Sequence, residues 1–95
     1  MQKQAVVINQ KDNVATAVQD LTAGSVVSFF VGQDVEQLTL CEFIPFGHKF
    51  ALCDIGKGQE ILKYGESIGS ALKPIPEGSH VHVHNMQSNR GRGDL

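Results

Sequence analysis

The sequence predicts a small, mostly β domain carrying one short helix. Three observations carry that expectation. First, Gly78-Ser79-His80-Val81-His82-Val83-His84-Asn85 alternates imidazole and valine, the period of a strand whose successive side chains point to opposite faces. Second, Asp20-Leu21-Thr22-Ala23-Gly24, Asp54-Ile55-Gly56-Lys57-Gly58 and Pro74-Ile75-Pro76-Glu77-Gly78 repeat one pattern, an Ile or Leu three residues ahead of a Gly. Each precedes a strand-like run, so each reads as a tight turn pinned by a buried aliphatic, with Gly taking backbone angles that a side chain resists. Third, ten glycines in 95 residues suit a strongly bent β structure better than a helical bundle.

Taken in order, Gln4 to Ile8 is a short apolar run that reads as a first strand. Asp12 or Asn13 then offers an N-cap. Val14-Ala15-Thr16-Ala17-Val18 with Leu21 places apolar residues at helical spacing, and Gly24 supplies a stop. That is the one helix expected, roughly two to three turns long. Ser25 to Val31 and Val35 to Phe43 form a hairpin around Gly32-Gln33-Asp34. Past Ile44 the strands shorten and Gly and Pro punctuate them. Gly65 and Gly69 allow close backbone approach or a sharp corner, and for Gly69 the corner is expected. Residues 1–86 read as a single domain, and residues 87–95 as a polar, Gly-containing flexible tail.

Composition excludes several classes. Hydrophobic residues make up 41% of the chain, enough to fold rather than stay disordered. A net charge of −2 without a basic cluster argues against nucleic acid. No apolar run is long enough to span a membrane, and no signal-peptide pattern opens the chain. Cys41 and Cys53 lack CxxC spacing and read as reduced, mostly buried thiols of a cytoplasmic protein.

Three places can carry chemistry. On a strand, His80, His82 and His84 share one face with neighbours roughly 6.6 Å apart, so His80 and His84 lie about 13 Å from each other. One pair, His80/His82 or His82/His84, can then converge on an ion, but not all three unless a bulge folds the strand. A lone pair leaves a metal site two ligands short, so weak binding is expected. The alternative is a solvated edge strand whose polar face is histidine. His48 and Lys49, in a Gly-His-Lys loop, present an acid–base group beside a cation and suit a carboxylate substrate, or are ordinary surface residues. Lys63-Tyr64-Gly65 ends a strand, with Tyr64 read as a half-buried aromatic whose hydroxyl reaches the surface.

Gly47-His48-Lys49-Phe50-Ala51-Leu52, Ile61-Leu62-Lys63-Tyr64-Gly65, Ile68-Gly69 and Gly78 to Asn85, in this order, together resemble the N-terminal SAF-type domain of the altronate/galactarate dehydratase family. The resemblance covers nearly the whole chain, and it extends to the small subunits of sulfolactate sulfo-lyase. It implies a β-clip fold, as in type III antifreeze domains. It also implies a metal-assisted hydro-lyase that converts D-altronate to 2-dehydro-3-deoxy-D-gluconate and water, within hexuronate catabolism. Carried over by residue, the resemblance places catalysis on His48, Lys49 and Lys63. Substrate contacts fall to Asn85, Tyr64 and Gly65, and metal ligation to His82 and His84. The implied cofactor is Fe2+ or Mn2+, held mainly by a large catalytic subunit or domain that is also the expected partner. The tail is expected to lead toward that partner, without which the chain is inactive; self-association into a homo-oligomer is also open. A sulfo-lyase small subunit and a non-catalytic binding module are the alternatives.

Overall fold

The computed structural model describes residues 4–88. Among these residues the regular elements are all strands, in chain order β1 (Ala5–Val6), β2 (Val14–Ala17), β3 (Val26–Val31), β4 (Asp34–Thr39), β5 (Lys49–Ala51), β6 (Glu60–Lys63), β7 (Glu66–Ala71), β8 (His80–Val81) and β9 (Met86–Ser88). One sheet runs β4-β3-β1-β2-β5-β8 and a second runs β6-β7-β9. Only the β1–β3 pair is parallel among these pairings. The mostly β architecture is as expected and agrees with a β-clip. No helix among the described residues is long and apolar enough to cross a membrane.

The expected helix is instead strand β2, with a turn behind it. β2 is clasped on both edges, Ala5 pairing with Ala17 on one side and Ala15 with Phe50 on the other. Val14 and Ala15 point to opposite faces, yet both are buried, each in a different core cluster. A strand covered on both faces loses its polar alternation, and its apolar run then mimics helical spacing.

The supposed caps hold another element. The Asp12 carboxylate accepts the backbone N–H groups of Asn9, Tyr64 and Gly65 at 3.2, 3.0 and 2.8 Å. Asn13 Oδ1 accepts the Leu62 N–H at 2.7 Å, at the register shift between Ile61 and Leu62. Both residues therefore pin the β6–β7 hairpin.

The β3–β4 hairpin forms as expected, although β4 stops at Thr39. The repeated turns pair with one another. Leu21 and Ile44 exchange reciprocal backbone hydrogen bonds, and so do Ile55 and Ile75. Ile44-Pro45-Phe46-Gly47 is thus a fourth copy of the turn, and its Gly47 shares the left-handed φ of Gly24, Gly58 and Gly78. All four aliphatics are buried.

Gly69 does not make a corner. It lies within β7, where an added Cβ would sit 2.2 Å from the carbonyl oxygen of Gln87 on β9. That strand pairs with β7 through Met86, Gln87 and Ser88, so the sheet claims the first two residues expected in the tail. The rest of that tail, residues 89–95, lies outside the described residues.

Two apolar clusters fill the interior. One gathers Leu21, Val27, Phe29, Leu38, Leu40, Ile44 and Phe50, and the other Val14, Ala51, Ile55, Ile61, Ile75 and Val81. Adjacent residues of β2 and of β5 feed opposite clusters, so these two strands form the wall between them. Val81 is fully buried as expected, but Val83 is 75% exposed, because the strand ends before it. Cys41 and Cys53 are exposed rather than buried. Both lie in loops beside the repeated turns, where Cys41 donates to the Glu77 carbonyl at 3.2 Å.

Candidate active site

β5 and β8 are antiparallel neighbours, with Lys49 opposite Val81 and Phe50 opposite His80. His48 immediately precedes β5, so this register sets it across from His82. Their rings stack at 4.5 Å between centroids.

The straight histidine row expected from alternation is not what forms. β8 covers only His80 and Val81, and a turn follows. Asn85 builds that turn: its Oδ1 accepts the His82 N–H at 3.0 Å, its Nδ2 donates to the His80 carbonyl at 2.7 Å, and its own N–H donates to the His82 carbonyl at 3.0 Å. The fold-back gathers the rings. His80 and His84, about 13 Å apart on an extended strand, have centroids 5.3 Å apart. His80 and His82 stand at 5.4 Å with planes 9° from parallel.

His48 Nδ1 meets His80 Nε2 at 2.9 Å. One nitrogen from each of His48, His80 and His82 falls within 4.8 Å of the others. The set that could hold a cation is therefore these three, with His84 beside it. The pair His80/His82 is one of the two expected from alternation; the added member is His48, which the sequence presents only as an acid–base group. The available signal for the fold-back was Asn85, a turn-forming residue three positions after His82.

The electrostatics favour neutral rings at His80 and His82. Burial, then the neighbouring His48, His82 and His84, push His80 below the ordinary imidazole range. Glu42, whose carboxylate accepts the His80 N–H at 3.1 Å, pulls partly the other way. Burial, His48, Lys49 and His84 lower His82. Neutral imidazole carries the lone pair that both metal ligation and proton abstraction require. Lys49, half-buried on β5, is lowered by its burial and then by Lys63, which raises its share of neutral amine.

The other expected site residues lie differently. Lys63 closes β6 and places its ammonium 4.9 Å from the Tyr64 ring centroid. Tyr64 and Gly65 form the β6–β7 turn with φ of 59° and 76°, the doubly left-handed geometry of a type I′ hairpin. Tyr64 is exposed rather than half-buried, and the space at Gly65 is taken by the Asn9 amide. Asn85 is buried, with its amide engaged by backbone on both sides. The structure thus brings His48, Lys49, His80, His82 and His84 to one rim with Lys63 near Lys49, and leaves Tyr64 and Gly65 at a hairpin tip.

Comparison with known proteins gives a consistent picture. The model of the family described as "Altronate/galactarate dehydratase SAF domain" matches residues 3–89. The chain is 46% identical over 86 residues to altronate dehydratase of Escherichia coli (strain K12), covering 90% of this chain and 17% of that protein. It is 43% identical over 76 residues to galactarate dehydratase (L-threo-forming) of the same organism, covering 78% of this chain and 13% of that protein. It is also 36% identical over 75 residues to (2R)-sulfolactate sulfo-lyase subunit alpha of Chromohalobacter salexigens, covering 77% of this chain and 80% of that subunit.

Proposed function

Since the chain belongs to the altronate/galactarate dehydratase SAF domain family, we propose that it is the small component of a sugar-acid hydro-lyase, with D-altronate as substrate. The chain spans about a sixth of the length of the altronate dehydratase it matches, so the proposal includes a larger catalytic subunit or domain that closes the site. The observation that carries this reading is the rim itself: four imidazoles with a half-buried lysine beside them, all built from the segments that bear the resemblance.

Dehydration of a 2,3-dihydroxy acid needs a base for the proton α to the carboxylate and an acid for the departing β-hydroxyl. The resulting enol then tautomerises to the 2-keto acid. The imidazole of His48 suits the proton abstraction, and the imidazolium so formed can protonate the leaving hydroxyl. Lys49 and Lys63 anchor the substrate carboxylate, and the polyol chain extends toward Tyr64 and Gly65. Asn85 acts on substrate through His82, whose backbone it holds. The Fe2+ or Mn2+ that the family resemblance implies would fit the His80 and His82 nitrogens at this rim, with further ligands from the larger partner, and when bound would stabilise charge developing on the carboxylate.

The test is reconstitution. Altronate turnover is measured with this chain, with the large partner, and with both together. Activity is expected only from the pair, and full turnover by the large partner alone would discard a catalytic part for this chain.

A second reading has its own support. The sulfo-lyase alpha subunits are separate short chains, of which this sequence covers 80% and 81%. Sulfite release from sulfolactate outpacing altronate turnover in the same reconstituted pair would select it.

A further inference from the structure

We infer that the outer face of β4, β3 and β1, which carries Val35, Phe30, Val26 and Val6, is the surface through which this chain docks on an apolar patch of a larger enzyme body. The inference rests on the proposed function for the identity of that body, and it deepens that reading by naming the surface.

Strand register places the patch. Val35 pairs with Phe30, Phe30 with Val6, Val6 with Thr16 and Thr16 with Lys49, and directly paired residues share a face. One row of side chains therefore crosses five strands and ends on the half-buried lysine of the rim. On the same face Lys49 pairs with Val81, and Val14 with Ala51. That end is covered, because Val14, Ala51 and Val81 pack with Ile61 of β6 and Ala71 of β7. The other end is not: Val26, Val35 and Phe30 are 56%, 45% and 39% exposed. One face of one sheet is thus core at one end and bare at the other.

The bare end is unlike a solvated face. Alternation along β3 and β4 adds Val26, Ser28, Gln37 and Thr39 to this side, and none of the residues so placed is charged. Both β4 carboxylates, Asp34 and Glu36, fall on the opposite side. Gln37 Nε2 donates to Ser28 Oγ at 3.1 Å, so the polar pair at the centre stays bonded to itself when water leaves. The outward face of an antiparallel hairpin is ordinarily polar. An aromatic among valines, without charge, is instead the composition of an interface core.

Size selects the occupant. Three strands about 4.8 Å apart, with about five residues each at ~3.3 Å, give a footprint of roughly 14 by 17 Å, about 240 Å². Even about twice that, for side-chain relief, stays below the roughly 800 Å² that each partner gives to a stable interface. A second copy seated on this patch alone is too small a contact. The occupant has to reach past Thr16 to Lys49 and on to Lys63, which lies close enough to Lys49 to lower its pKa. The body that closes the rim does so. It meets the patch with apolar side chains, since a charge placed there loses water without gaining a partner.

The probe is altronate dehydratase of Escherichia coli (strain K12) in which the 95-residue chain replaces the segment it matches. Hydroxyl-radical labelling, read by mass spectrometry, compares Phe30 and Val35 in this chimera and in the chain alone. Labelling of both is expected to fall several-fold in the chimera. Phe30→Glu should restore Val35 labelling to its free-chain level, whereas Leu72→Glu, at another exposed apolar residue, should leave it low. Neither variant should shift the thermal melting of the free chain, because surface changes of this kind are close to neutral. The aligned β3 and β4 segments of the unmodified enzyme are labelled in parallel, so the result does not hang on the chimera folding. Phe30 labelled equally in chimera and free chain, or those aligned segments fully labelled in the unmodified enzyme, overturns the inference. So does protection of Phe30 in the chain alone, which assigns the face to a second copy if sedimentation gives a dimer, and to residues 1–3 or 89–95 if it gives a monomer. Altronate turnover by a chimera whose Phe30 is still labelled refutes this surface and leaves the proposed function standing. Protection without turnover refutes the proposed function and leaves the surface standing.

Discussion

Two short polar side chains decide where the candidate site residues stand. Asp12 gathers the N–H groups of Asn9, Tyr64 and Gly65 on one buried carboxylate, and Asn85 bridges the His82 N–H and the His80 carbonyl through its amide. Tyr64 needs such support, because a non-glycine residue at φ 59° costs about 1–2 kcal/mol. Asp12→Ala should therefore destabilise the chain by about 1–3 kcal/mol, the cost of leaving buried donors unpaired. Asp12→Asn, which keeps one carbonyl oxygen, should lose less. Urea denaturation of the two variants checks this, and an Asp12→Ala loss within about 0.5 kcal/mol, the range of a neutral surface change, would show that water replaces the carboxylate. Both residues are legible in the sequence as local hydrogen-bonding types. The partners of Asp12 are not, since two of them lie more than fifty positions away.

Strand pairing, not propensity, shaped β2 and β7. Val14-Ala15-Thr16-Ala17 has residues small enough to lie between neighbours on both edges and both faces, and its contacts override its helical spacing. Gly69 shows the same pressure from the other side: β9 passes so close that no Cβ fits. Gly69→Ala must move backbone rather than a flexible side chain, so about 1–3 kcal/mol of overpacking strain is expected, together with weaker hydrogen-exchange protection along Met86–Ser88. Unchanged protection there would mean that β9 is not held by this approach. The hairpin of β3 and β4 was readable because each strand has a half-exposed face and a Gly at the turn. The β8 strand was readable only at its start, since the alternation continues through a segment that Asn85 bends.

Unfolding should be a single event, because β2 and β5 supply both apolar clusters from adjacent residues. Leu40→Ala in one cluster and Ile61→Ala in the other remove fully buried side chains, each at about 2–5 kcal/mol. Against a total of roughly 5–15 kcal/mol for a domain, either should shift one common denaturation midpoint, followed by both Tyr64 fluorescence and far-ultraviolet circular dichroism. Two separated transitions in either variant would show that the clusters stand independently. The paired turns reinforce the expectation, since Leu21 with Ile44 and Ile55 with Ile75 each tie segments distant in sequence.

By itself the sequence determined what depends on neighbours along the chain. That includes the β character, the left-handed glycine turns, the β3–β4 hairpin, and the presence of histidines and a lysine in segments shared with one family. Tertiary structure alone decided that the Val14 segment is a strand, that the turns join in pairs, and that His48 meets His80 and His82 across β5 and β8. The reason is geometric. Local rules describe which way a side chain leaves the backbone, whereas three imidazoles meet only once strand register and a side-chain-locked turn have set two distant segments side by side.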